Sequence, residues 1–188
     1  MAATMDAPDF EAAAAFHGHL CPGLAIGYRV AKAALEHLAA ERAEDEELVA
    51  IVENDSCAAG AVQVLTGCKF GKGNFFFRDY GRHVYTFLLR PTGKGVRVRV
   101  LPRPAEEDEA GEADVARARR IEHLLAAVEE EILAVEHVTE SLPERATIHE
   151  SAPCEVCGQP TMVTRLRDVG GRRLCIPCAK AAKRASER

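Results

Sequence analysis

The chemistry of this chain is concentrated in its histidines and cysteines, and the densest group is Phe16-His17-Gly18-His19-Leu20-Cys21-Pro22-Gly23. Two imidazoles and a thiol fall within five residues, a donor set that suits Zn, Fe, Ni or Cu. Two histidines at i and i+2 cannot share a helix face, and in extended chain they alternate sides. Gly18 is therefore needed to fold the backbone around a common point. Pro22 fits the first position of a following helix, where its missing N–H costs nothing. Cys21 then stands at that helix's N-terminus, where the partial positive charge favours a thiolate.

A second pattern closes the chain. Cys154-Glu-Val-Cys157 and Cys175-Ile-Pro-Cys178 are two C-x-x-C pairs separated by seventeen residues. This is the spacing of a four-thiolate structural zinc site with no open coordination position. Gly158 and Pro177 sit in or beside the two tight turns, and Gly170-Gly171 allows a return hairpin between them. A segment this short cannot bury enough apolar surface to fold alone, so the metal would hold it together.

The remaining cysteines are Cys57 and Cys68. Cys57 follows a predicted strand and opens a predicted helix, the place where an open α/β sheet gathers ligands. If the helices of Cys21 and Cys57 start at one sheet edge, His17, His19, Cys21 and Cys57 converge into a core metal or active site. Cys68 lies eleven residues on, about three helical turns away, and joins that set only if the chain folds back. The loop Gly67–Asn74 has three residues between Gly67 and Gly71-Lys72, and Gly73 where a phosphate loop needs Ser or Thr. It is not a nucleotide loop. Lys69, Lys72 and Asn74 are expected to present charge and N–H groups to an anion near the site. His37, His83, His123 and His137 lack a partner pattern and receive no role.

The elements that must position these residues can be read from periodicity. A short Ala-rich helix is expected over Asp9–Phe16, then a helix from Pro22 to about Arg42 with Leu24, Tyr28, Ala31, Leu35 and Leu38 on one stripe. Leu48–Val52 is a continuous apolar run, the mark of a buried strand. Glu53-Asn54-Asp55-Ser56 is expected to cap a helix from Cys57 to Gly67. Strands follow over Asn74–Phe77, His83–Leu89 and Gly95–Leu101, the last two joined by a turn at Pro91–Gly95. After an acidic connector from Pro102 to Gly111, the stripe Val115, Ile121, Leu124, Leu125, Val128, Ile132, Val135 predicts one helix from Glu112 to about Glu140. Glu129–Glu131 lies off that stripe and reads as a solvated face. The fold class is α+β, a mixed β-sheet flanked by helices over 1–147, with a small four-cysteine zinc-ribbon domain over 148–188.

Composition narrows the function. The chain has 188 residues, is 47% hydrophobic and 28% charged, and carries a formal net charge of −5. That acidity gives no general attraction to nucleic acid or to anionic membrane. No apolar run approaches the ~20 residues that span a bilayer, and Met1–Phe10 shows no signal-peptide pattern. An odd number of cysteines arranged as ligand pairs points to the reducing cytoplasm.

With both halves in view the sequence resembles the FmdE-like family of formylmethanofuran dehydrogenase components. The residues that carry the resemblance are Phe16 to Gly27, then Glu53-Asn54-Asp55-Ser56-Cys57, then Gln63-Val64-Leu65-Thr66-Gly67-Cys68 running into Gly71-Lys72-Gly73-Asn74. The C-terminal cysteines resemble a ribbon that some members carry. The resemblance implies a homodimer, a second transition metal in the core held by His and Cys (zinc as the first expectation), and an accessory role beside a molybdenum or tungsten dehydrogenase of one-carbon metabolism. It also implies an Asp three residues after the second cysteine, where this chain has Gly60, so metal binding is expected to survive and chemistry needing that carboxylate is not. Two other functions fit the residues. One is a metal- or thiol-dependent enzyme using the core site, with an open metal position or a Cys21 or Cys57 nucleophile. The other is a nucleic-acid regulator using Arg165, Arg167, Arg172, Arg173, Lys180, Lys183 and Arg184 of the ribbon, which the overall acidity opposes.

Overall fold

In the computed structural model the chain forms two compact units, Met1–Ala146 and Thr147–Arg188. The structure describes residues 4–102 and 113–186, so the acidic connector, Pro102 apart, lies outside the described residues.

The first unit is built on the apolar run, which forms strand β1 (Leu48–Val52) with all five residues buried. Leu48, Ala50 and Val52 face a core shared with helices, while Val49 and Ile51 pack with Leu88 on the opposite face. Burial on both sides explains why the run does not alternate. β1 pairs in parallel with β2 (Phe75–Phe77) and antiparallel with β3 (Val84–Leu89). β4 (Lys94–Val100) and β5 (Leu133–Thr139) complete a mixed sheet in the order β2-β1-β3-β4-β5.

Helices α1 (Pro8–His17), α2 (Pro22–Leu38) and α3 (Ala58–Thr66) gather on the side of this sheet that β1 shares with them. α1 is fastened to α2 by Phe10 against Tyr28, edge to face at 5.2 Å. A buried ring such as Phe10 contributes on the order of 1.5–3 kcal/mol. α2 is shorter than its apolar stripe suggests, because Ala39 turns left-handed at φ 47° and ends it. Arg29, buried on α2, donates from one Nη to the carbonyls of Leu124, Leu125 and Ala127. Those carbonyls close helix α4 (Ala113–Ala126), so a guanidinium satisfies the acceptors that a helix end leaves free.

The expectation of one helix over residues 112–140 is corrected. The chain makes α4, breaks in extended backbone at Val128, forms the single turn α5 (Glu129–Ile132) and continues as β5. Leu133 and Val135 fit a two-residue period as well as a helical one. The open edge of β4 decides between them, with a seven-residue register from Lys94↔Thr139 to Val100↔Leu133.

The second unit has two hairpins and a helix. β6 (Ser151–Pro153) pairs with β7 (Pro160–Met162), and β8 (Leu166–Val169) with β9 (Arg172–Cys175), followed by α6 (Ile176–Ser186). Gly170 and Gly171, both at positive φ, make the two-residue turn between β8 and β9. Its buried cluster holds Cys154, Leu174, Cys175 and Ala179.

Candidate metal centres

Three helix ends meet at the first centre. α1 ends at His17, and Gly18 at φ 95° donates its N–H back to the Ala14 carbonyl, reversing the chain. That reversal brings the His19 ring to 4.5 Å from the His17 ring, which an i, i+2 pair in regular backbone cannot do. Cys21 is the N-cap of α2, where its sulfur accepts the Leu24 N–H at 3.4 Å and Pro22 takes the first helical position. His17 Nε2 lies 3.7 Å from the same sulfur. Cys57 stands at the N-cap of α3. One donor atom from each of His17, His19, Cys21 and Cys57 lies within 4.8 Å of every other. Two helix N-termini face the two sulfurs, and the α1 C-terminus faces an imidazole, the placement helix dipoles favour.

What lets α2 and α3 come this close is glycine. A Cβ on Gly27 would stand 2.6 Å from the Ala58 Cα and closer still to its carbonyl oxygen, and one on Gly23 would stand 3.1 Å from the Cys57 Cβ. Sequence reasoning did not single out this pair; two glycines four apart on the stripe of a helix are the signal that was there to read. Burial, and then the Cys21 sulfur beside it, raise the Cys57 thiol above its ordinary range. The site opens outward: His19 is exposed, and Phe16 and Leu20 on either side of the histidines are exposed apolar residues.

Cys68 is not brought into this group. It is fully buried below the far end of α3, its sulfur donating to the Leu48 carbonyl at 3.3 Å. Burial pushes its thiol up to about 11. The loop expected to face an anion is also spent internally. Lys72 Nζ donates to the carbonyls of Ala43, Glu44 and Asp45. Asn74, fully buried, donates to the Asp45 and Leu48 carbonyls and accepts the Lys69 N–H. These groups tie the loop to the start of β1, so Lys72 and Asn74 are structural and Lys69 contributes its backbone. Cys68 and the loop lie at the end of β1 away from Cys57.

The second centre lies in the ribbon unit. Donor atoms of Cys154, Cys157, Cys175 and Cys178 again lie mutually within 4.8 Å. The Cys175 N–H donates to the Cys154 sulfur at 3.2 Å. Backbone N–H groups of Cys157, Cys175 and Val156 pull the Cys154 thiol down to about 6. The Cys175 sulfur, together with burial and the other two sulfurs, pushes Cys178 up to about 12. One sulfur held as a thiolate beside thiols that give up their protons only to a metal is the chemistry of a four-sulfur zinc site.

A cleft of about 1130 Å³ runs between α1, α2 and the α4–α5 connection. Tyr28 and Lys32 both donate to Asp9, at 2.9 and 3.0 Å, and His37 Nε2 lies 2.7 Å from Glu129. Among the described residues no helix is long and apolar enough to cross a membrane.

Comparison with known proteins places this arrangement. Residues 16–142 match the model of the family described as FmdE, molybdenum formylmethanofuran dehydrogenase operon. Residues 149–184 match the prokaryotic dksA/traR C4-type zinc finger. A probable S-adenosyl-L-methionine-binding protein of Archaeoglobus fulgidus is 34% identical over 191 residues, which cover 87% of this chain and 50% of that protein. The chain therefore spans about half the length of this curated relative. A crystal structure of an FmdE-like protein of tungsten formylmethanofuran dehydrogenase, from Syntrophus aciditrophicus, has the same fold. It superposes with a TM-score of 0.67 at 24% identity, over 97% of this chain and 98% of that one.

Proposed function

The chain belongs to the FmdE family, and on that premise we propose that its core binds a transition metal through His17, His19, Cys21 and Cys57. In this reading the protein is a homodimeric accessory to a molybdenum- or tungsten-dependent formyl or formate dehydrogenase system, with structural zinc in the ribbon. The observation that carries it is the convergence of two imidazoles and two thiols from three helix ends within 4.8 Å. Such a donor set suits zinc first, and a metal there would bind with release of the thiol protons. The family's description supplies the dehydrogenase association. Gly60, where the family resemblance places an Asp, removes a carboxylate that could act as a base, which favours binding over turnover.

The test is metal content per chain on anaerobically purified protein, wild type beside Cys154→Ser/Cys157→Ser. Two metals falling to one supports an independent core site. One metal falling to none removes it. Turnover of formyl compounds or formate that disappears in His19→Ala, with the fold intact, would replace the accessory reading by an enzymatic one.

A second reading comes from the archaeal relative's name together with the cleft on α2. Its lining sets Tyr28, Arg29 and Lys32 against Asp9, Glu36 and Glu129. A zwitterionic lining of this kind is complementary to a sulfonium-bearing amino acid such as S-adenosylmethionine. Calorimetric titration with that compound decides it: saturable heat lost in Arg29→Gln supports the cleft, and no heat removes it.

A further inference from the structure

We propose that Asn54 is the positioning residue of the core centre, fixing through its carboxamide the turn that sets where the Cys57 sulfur stands. The inference rests on the metal-binding reading of that centre.

The sequence suggests that Glu53–Ser56 caps α3, but Cys57 occupies the N-cap in helical backbone and no side chain caps the helix. The four residues do something else. Asn54 is 7% exposed. Its Nδ2 donates to the Arg82 carbonyl at 2.7 Å and to the Tyr85 hydroxyl at 3.2 Å. Its Oδ1 accepts the Ser56 N–H at 3.1 Å and the Ser56 hydroxyl at 2.6 Å. A carboxamide has two N–H donors and two acceptor lone pairs, and all four are used. The orientation is determined as well, because the Arg82 carbonyl can only accept and the Ser56 N–H can only donate.

One side of Asn54 is therefore bound to the strand side of the site and the other to the turn entering Cys57. Tyr85, fully buried on β3, supplies the fixed end. Glu53 anchors the preceding residue. Its N–H donates to the Val84 carbonyl and its carbonyl accepts the Arg82 N–H. Its buried carboxylate pairs with Arg82 at 2.7 Å and Arg97 at 3.4 Å. Cys57 is three residues from Asn54 along this held segment. Metal–sulfur distances tolerate only about 0.2 Å, so a shift of the turn is felt at the metal. Partners that orient ligands in this way typically change metal affinity by about 10–100-fold when removed.

The experiment is cobalt(II) titration of full-length protein carrying zinc in the ribbon, following the thiolate-to-cobalt charge-transfer band. Asn54→Ala is expected to weaken core binding by about 10–100-fold and to shift the band. Tyr85→Phe, which removes one of the four bonds, is expected to do the same to a smaller extent, and it serves if Asn54→Ala does not fold. The control is Asn74→Ala, an equally buried, fully bonded Asn at the other end of β1; it is expected to cost stability yet leave cobalt affinity within two-fold. Wild-type affinity and spectrum in a folded Asn54→Ala would overturn the proposal, as would an equal loss in Asn74→Ala. If wild type takes up no cobalt outside the ribbon, the metal reading has failed and site-resolved alkylation decides instead. The Cys57 to Cys21 rate ratio must then change several-fold in Asn54→Ala and not in Asn74→Ala, and an unchanged ratio overturns the proposal.

Discussion

Gly60 stands against His17: a Cβ built at position 60 would lie 3.4 Å from the His17 Nδ1, at ordinary contact distance and with no backbone in the way. The position where the family resemblance calls for Asp thus points at a ring of the core centre from the first turn of α3. Gly60→Asp is expected to place a carboxylate beside that imidazole and to raise core cobalt affinity about ten-fold. Gly60→Ala separates the carboxylate from the methylene. It should leave affinity within two-fold while stabilising α3 by about 0.5–1 kcal/mol. Equal affinities in the two variants would show that the carboxylate does not reach the site.

Gly27 governs the approach of the two helices that carry the sulfurs. A methyl group there would run into the backbone of Ala58, which cannot move aside as a side-chain tip can. Gly27→Ala is expected to destabilise the first unit by about 3 kcal/mol, well beyond the roughly 1 kcal/mol that Ala gains over Gly in a helix interior. Core metal affinity should fall with it, because α2 and α3 separate where Cys21 and Cys57 face each other. Urea unfolding of the first unit and cobalt titration measure the two effects. A stabilised Gly27→Ala would contradict the packing described.

These glycines also show where sequence reading stops. The strand β1, the turn of Gly67 and the N-cap place of Cys21 follow from local pattern and are legible, since each rests on residues adjacent in the chain. β5 is not legible. Leu133 and Val135 satisfy two periods, and only the edge of β4, more than thirty residues earlier in the sequence, selects the strand. The convergence of His17, His19, Cys21 and Cys57 is readable as a possibility from residue types. Its geometry depends on a Gly18 reversal and a close approach at Gly23 and Gly27 that no single segment encodes. The Gly67–Asn74 loop misleads for the complementary reason. Lys72 and Asn74 have the chemistry to hold an anion, but the bare carbonyls of residues 43–48 take their donors first.

The ribbon unit has too small a cluster, Cys154, Leu174, Cys175 and Ala179, to hold together without its metal. Cys157→Ser is expected to abolish metal in the second unit and to remove hydrogen-exchange protection from β8 and β9. The first unit should keep its unfolding free energy within about 0.5 kcal/mol, as independent sites do. Protection that persists in β8–β9 after chelation would show a unit that folds without metal.

Cys68 gives the first unit an alkaline limit. Burial raises its thiol from 9.0 to about 11, so the folded state holds a proton that the unfolded chain has already released between these values. The resulting stability is complete below pH 9 and is lost as pH rises through 11, because ionisation then costs the fold its buried neutral thiol. Two pKa units correspond to roughly 2.7 kcal/mol. Cys68→Ala removes the effect while also deleting the bond to the Leu48 carbonyl, so its cost should be largest at neutral pH. The stability difference between wild type and Cys68→Ala, from urea unfolding at pH 8 and pH 11, is expected to shrink by about 2–3 kcal/mol over that interval. A difference independent of pH would mean that the Cys68 thiol ionises in the fold as readily as in the unfolded chain.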